Sequence, residues 1–393
     1  MSVKEKVEQA IKILDERSVD CWLTFVRESG INHDPMLDFL TGSEVTWHSA
    51  FIITRSGETC AIVGEMDKKM IEDLGVYKHV LGYVEGIKQP LLATLKDINP
   101  SSIAINYSEA SEISDGLTHG MYLTLHDFLS EIGFEKKLVS AEKITSSLRA
   151  RKTDSELSLI QKAVDETNDI FKLVASFIKP GKTEQEIAAF LKGEVNRRNL
   201  ALAWDENFCP SVFTGPKTAG AHYRPTDRKV ERGHLINMDF GVKYEGYCSD
   251  LQRTLYVLKE GESKAPLEVQ KGFETIVTAI ELARAALKPT AKGYEIDAVA
   301  RQHIVSRGYS EFPHGLGHQV GRFPHDGTAM LGPAWEKYST KVFEPIEEGM
   351  IFTIEPRVEI PDHGIVSIEE MVVVGKDGAE FLGQPQKELI LIS

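Results

Sequence analysis

Residues 3–17 carry apolar side chains at helical spacing, and Cys21–Val26 follows as an almost wholly apolar run. A helix and then a strand are expected there. Further apolar or alternating runs near Ala50–Thr54, Cys60–Val63 and Ile103–Asn106 read as strands, with helical spacing near Asp67–Leu74 and Tyr122–Ile132. Alternation of this kind predicts an α/β domain over residues 1–140. Inside it, residues 28–47 (ESGINHDPMLDFLTGSEVTW) are largely polar and read as a long loop. Such loops serve as lids or binding segments about as often as they serve as plain connections.

A charged, helical connection over residues 141–154 leads to a second domain, expected over 155–393. Thr153 and Glu156 have the spacing of a capping box, opening a helix that runs to about Ile178. Pro180 and Gly181 stop it, and Thr183 with Glu186 caps the next helix. Gly181-Lys182-Thr183 looks like the end of a phosphate-binding loop, but that motif needs glycine at position 176, which is serine. Further helices are expected at about 266–287 and 294–307, with strands in the segments that carry the acids discussed below. The second domain is therefore α+β, with helices covering one side of a curved sheet.

The chain has 393 residues, 42% of them hydrophobic and 26% charged, which suits a two-domain globular protein. A formal net charge of −14 argues against nucleic acid as a partner. The four cysteines, Cys21, Cys60, Cys209 and Cys248, have neither metal-binding spacing nor the look of a disulfide framework, so a reducing cytoplasm is the expected setting. The first residues form an amphipathic helix without the apolar core of a signal peptide, and no stretch is long enough to span a membrane.

The candidate chemistry lies in the second domain. Asp239 and Asp250 stand in INMDFGVKYEGYCSDLQRTLYV, where Lys243–Gly246 reads as the turn of a hairpin. A tight turn there would make them cross-strand neighbours, with Cβ atoms about 5 Å apart. Two carboxylates so close in a half-buried sheet need protons or cations to compensate them. Downstream come His314-Gly-Leu-Gly-His318, then His325, then Glu355 ending an apolar strand, then Glu369 within another. Two Asp, one His and two Glu form an oxygen-rich ligand set with one imidazole, suited to Mn, Co, Zn or Fe(II). Four carboxylates would balance two divalent ions.

The order Asp, Asp, His, Glu, Glu, with its local strings, resembles the metallopeptidases of the methionine aminopeptidase, aminopeptidase P, prolidase and creatinase group. The resemblance extends over residues 150–393 and, more weakly, over 1–140 through Phe39-Leu40-Thr41-Gly42. It implies a pita-bread catalytic domain behind a creatinase-like amino-terminal domain. It implies two divalent ions per subunit, Mn foremost, with Asp239 chelating one and Asp250 bridging both. His318 and Glu355 would bind the other, and Glu369 would bridge. A hydroxide shared by the ions would attack the peptide carbonyl, and Glu355 would move the proton to the leaving nitrogen. His325 would stabilise the tetrahedral intermediate, while His222 and His314 would hold the residue after the scissile bond. A homodimer is also implied, one subunit's amino-terminal domain closing the other's site, with His33, Asp34 and Trp47 of the 28–47 segment as the means of closure.

The chain departs from that family pattern at five places, two of them Arg322 and Pro324, which stand where aliphatic residues are usual. Arg357 stands where glycine is common, Glu359 where tyrosine is, and Ser367 where arginine is. Arg357 or Arg322 could restore the missing cation and bind the substrate carboxylate. The expected activity is hydrolysis of Xaa-Pro dipeptides, with aminopeptidase P action on longer Xaa-Pro peptides as the alternative. A creatinase-like amidinohydrolase is disfavoured because all five ligands are kept, and a non-catalytic binding module because the histidines are kept too.

Overall fold

The computed structural model describes residues 3–109, 111–216, 218 and 223–393. It divides into two compact units, Met1–Arg149 and Ala150–Ser393. Among the described residues no helix is long and apolar enough to cross a membrane, and all four cysteines are free and buried.

The first unit is built on a six-stranded sheet. Its strands lie in the order His79–Tyr83, Thr59–Gly64, Ser49–Thr54, Cys21–Val26, Ile103–Ile105, Leu138–Ser140. Both faces are covered, so its central strands are apolar throughout rather than alternating. Trp22, Phe51, Ile53, Ala61 and Ala104 pack with residues of the helix Val3–Glu16 on one face. Leu23, Ile52, Ile62 and Ile105 pack with residues of Lys88–Ile98 and His119–Ser130 on the other.

The polar segment 28–47 is not the irregular surface loop its letters suggest. Met36, Leu37, Phe39, Leu40 and Val45 are buried in the first core, and Leu37–Leu40 form a short helix. Asp34 is buried as well. It accepts hydrogen bonds from Asn106 Nδ2 and Met36 N, at 2.9 and 2.8 Å. A carboxylate fixed inside the core cannot serve as the tip of a lid; Trp47 alone of the three side chains proposed for closure is a large exposed apolar group.

In the second unit both expected capping boxes form, opening the helices Asp154–Phe177 and Glu184–Arg197. The helices Leu267–Ala286 and Gly293–Ser306 pack their apolar faces onto Phe352, Ile354, Val358, Ile360, Val366 and Val372. These strand residues belong to short sheets. Ile351–Ile354 pairs with Glu370–Val374, and Arg357–Ile360 pairs with Gly364–Ser367. A four-stranded sheet, in the order Ile390–Ile392, Leu251–Val257, Leu235–Phe240, Ser211–Thr214, carries the two aspartates. The fold class is the expected one, an α/β unit followed by an α+β unit.

Candidate active site

The aspartate hairpin turns at Glu245 and Gly246, both with positive φ (44° and 86°), between the paired residues Tyr244 and Tyr247. Two such residues make the tight turn that matches strand twist, and the second is glycine because positive φ costs it nothing. This turn fixes the register. Asp239 lies opposite Gln252, not opposite Asp250, and Leu251 lies opposite Phe240. Asp250, just before the strand Leu251–Val257, is therefore a diagonal neighbour of Asp239, two positions from the directly opposed residue. The expectation of direct opposition is corrected; the diagonal keeps both carboxylates on one face.

The other acids also sit at strand ends. Glu355 follows Ile351–Ile354, and Glu369 falls in the gap between Gly364–Ser367 and Glu370–Val374 rather than within a strand. There it makes an isolated antiparallel bridge with Gln252, which attaches it to the strand following Asp250. His318 lies in the two-residue strand Gly317–His318. A Cβ on Gly317 would come within 1.9 Å of the Thr353 carbonyl oxygen, so only glycine lets this strand approach Ile351–Ile354 closely enough to bring His318 in.

Three carboxylates converge on one imidazole nitrogen. His318 Nε2 lies 3.5 Å from Glu355 Oε1 and 3.8 Å from both Asp250 Oδ2 and Glu369 Oε1. Ligand atoms of Asp250, His318 and Glu369 all lie within 4.8 Å of one another. Asp239 lines the same cavity. His318 Nδ1 is 3.4 Å from the Gln319 carbonyl oxygen; a proton on Nδ1 serves that contact and leaves Nε2 as a lone pair among acid oxygens. This is the tautomer a metal ligand needs.

The electrostatics agree. Burial pushes the Asp239 carboxyl up to about 7. Asp250 is raised well above the usual range by burial and then by Asp239 and Glu355. Glu355 and Glu369 are raised by burial and by neighbouring acids, with Arg357 acting against the rise at Glu355. Without a cation this cluster must hold protons. A divalent ion reverses that preference, and the oxygen-rich donor set with a correctly oriented imidazole fits one.

The remaining expected residues divide. His325 stands edge-on to His318, ring centroids 4.3 Å apart, and lines the cavity. Arg357 is close enough to act on both Glu355 and His314. Burial is the main reason His314 is lowered to about 4, so the ring is neutral. Its Nδ1 sits 2.8 Å from Gly315 O, which leaves Nε2 as an acceptor. Arg322 is elsewhere: its guanidinium lies over the Tyr247 ring, 5.6 Å from the centroid, and near Gly246. His222 lies outside the described residues.

Trp204, Asp205, Phe208, Gln252 and Pro324 also line the cavity, which has a volume of about 270 Å³. The sequence did not single these out as lining residues. Trp204, Asp205 and Phe208 come from an irregular segment whose letters carry no periodicity. Gln252 could have been found by counting the hairpin register.

Comparisons with known proteins identify the fold and the family. The chain is 27% identical over 389 residues to the Xaa-Pro dipeptidase of Pyrococcus furiosus, covering 99% of this chain and 100% of that one. The prolidase from Pyrococcus horikoshii OT3 superposes with a TM-score of 0.68 at 26% identity, over 98% and 100% of the two chains. The X-Pro aminopeptidase from Thermotoga maritima MSB8 shares the fold, with a TM-score of 0.72 at 24% identity over 96% and 99%. The fold is thus the pita-bread one, and the protein is a hydrolase. Residues 158–376 match the model of metallopeptidase family M24, to which the chain belongs.

Proposed function

We propose that this protein is an Xaa-Pro dipeptidase, using two divalent ions, with Mn foremost. The observation that carries the reading is the convergence of Asp250, Glu355 and Glu369 on Nε2 of His318, with Asp239 in the same cavity. Asp239 and Asp250 would hold one ion and His318 and Glu355 the other, with Asp250 and Glu369 shared. When bound, the ions lower the pKa of a shared water and polarise the scissile carbonyl.

The chain's own residues supply the rest. Glu355 turns Oε1 toward His318; its Oε2 takes the proton of the attacking water and passes it to the leaving proline nitrogen. His325, at the cavity wall beside His318, donates to the carbonyl oxygen as negative charge develops. Arg357, partly buried beside Glu355 and His314, takes the carboxylate at the far end of the dipeptide. A guanidinium suits that role because it stays charged and can bind both oxygens. Neutral His314, beside Arg357, offers an acceptor rather than a second cation. His222 is retained as a substrate-binding group, and a homodimer as the working form.

The cavity of about 270 Å³ favours a small substrate. The test is turnover of Leu-Pro, Ala-Pro, Ala-Pro-Ala and a longer Xaa-Pro peptide by Mn-loaded protein. Hydrolysis confined to the dipeptides supports the reading. Release of the first residue from the longer peptides moves the protein to the aminopeptidase P class. No turnover with ions bound would end the peptidase reading.

A further inference from the structure

Glu369 is held from two sides by neutral hydrogen-bond donors. On one side is Thr353. Its Oγ1 accepts the His318 backbone N–H at 3.1 Å, and its hydroxyl lies near enough to favour the ionised Glu369 carboxylate. On the other side is the carboxamide of Gln252, 3% exposed, which acts on the Glu369 carboxylate and stands beside it because the two residues are bridge partners. The two backbones are joined as well, Gln252 N to Glu369 O and Glu369 N to Gln252 O, both at 3.3 Å.

Gln252 is itself oriented. Its Oε1 accepts the hydroxyl of Ser367. A primary amide has one accepting end and one donating end, and an ionised carboxylate can only accept. With Oε1 turned to Ser367, the NH2 group is the end that meets Glu369. A half-turn of the amide would set oxygen against oxygen at Glu369, and that repulsion opposes it; the Ser367 hydroxyl, able to donate or accept, anchors the far end of the amide. The Ser367 backbone is itself pinned: its N–H donates to Thr254 Oγ1 at 3.1 Å, and its carbonyl accepts the Thr254 hydroxyl at 2.6 Å.

We propose that Ser367 and Gln252 form a two-residue brace that fixes Glu369 in the orientation needed to bind the cations. They are positioning residues, acting through Glu369. The inference rests on the reading of this cluster as a metal site and goes beyond it, because it assigns the retention of the ions to a hydroxyl that binds none of them. Groups that orient a ligand commonly change metal affinity by about 10–100-fold when removed.

The test compares Ser367→Thr with Ser367→Val, which differ only in the hydroxyl. Mn is titrated calorimetrically into the chelator-stripped full-length protein, and the stripped forms are also melted. Ser367→Thr is expected within about threefold of the parent affinity, and Ser367→Val about 10–100-fold weaker, with similar melting midpoints for the two stripped variants. Ser367→Ala, which adds no methyl group, is expected to behave as Ser367→Val. Gln252→Ala should reproduce the loss, and combining it with Ser367→Val should add little, as for residues acting as one unit. Equal Mn affinity in the Thr and Val variants, or full additivity with Gln252→Ala, would overturn the brace. If the parent protein takes up no divalent ion, the metal-site reading itself fails and the brace falls with it. The two failures are therefore distinguishable.

Discussion

Arg357 lies directly across an antiparallel strand pair from Ser367. The resemblance noted above leads one to expect an arginine at 367 and none at 357. Arg357 thus stands at the same level of the sheet as an arginine at 367 would, on the neighbouring strand, and acts on Glu355. Directly opposed side chains lie about 5 Å apart, so a long flexible arginine can serve the same space from either strand.

Replacing Arg357 by Ala is expected to raise KM for Leu-Pro about tenfold, roughly 1.4 kcal/mol, with a much smaller effect on kcat. Replacing Arg322 by Ala should leave KM unchanged, because its guanidinium is engaged at Tyr247. Steady-state kinetics on the two variants checks both statements. An unchanged KM in Arg357→Ala would remove the carboxylate role from this residue.

The raised carboxyls set a pH dependence. Asp239 in the folded, metal-free protein titrates at about 7, against an ordinary 3.8. Between those values the folded state holds more protons than the unfolded chain, so this group makes stability fall as pH rises through the window. Bound ions remove the penalty. The difference in melting temperature between Mn-loaded and chelator-stripped protein should therefore widen from pH 5 to pH 7. Calorimetry in buffers of different ionisation enthalpy should also show protons released on Mn binding at pH 7. A constant melting difference with no proton release would contradict the assignment.

His325 and Glu355 are expected to affect the chemical step more than binding. His325→Ala should lower kcat about 100-fold with KM little changed, as loss of an oxyanion donor does. Glu355→Gln removes the proton carrier and should cost about 10²–10⁴-fold in kcat. Single-turnover measurements at saturating Leu-Pro separate these effects from product release.

Gly317→Ala tests the geometry that brings in His318. The new methyl group would meet the Thr353 carbonyl at 1.9 Å, forcing the strand Gly317–His318 away from Ile351–Ile354. Mn affinity should fall at least tenfold, and the metal-free protein should lose about 1–3 kcal/mol of stability, as overpacked sites do. Unfolding monitored by denaturant titration gives the second number directly.

Much of this was legible from residue order alone. The helix starts at Thr153 and Thr183 were marked by local hydrogen bonding within four residues, which a linear string records well. The four clustered acids and the histidine were marked by residue type. What the string hid was register. The turn was located over Lys243–Gly246, yet the two-residue turn at Glu245 and Gly246 decides which residues oppose one another, and it makes Gln252 the partner of Asp239. The run through Glu369 conceals a strand break because Ile365, Val366 and Ile368 before the two glutamates and Met371–Val374 after them read as one apolar strand. Segment 28–47 looked like a loop because polar letters separate Leu37, Phe39, Leu40 and Val45, which the core gathers together. Trp204 and Phe208 enter the cavity wall through tertiary placement of an irregular segment, for which no periodic signal exists.

The strand-end placement of the acids has a consequence for biosynthesis. Asp239, Asp250, His318, Glu355 and Glu369 come from separate segments, and the last lies near the end of a 393-residue chain. No nascent chain shorter than 369 residues possesses the complete set. On the proposed reading, cation capture would therefore be a late event, open only to chains in which the strand pair adjoining Glu369 has formed, and a shorter polypeptide would stay catalytically silent.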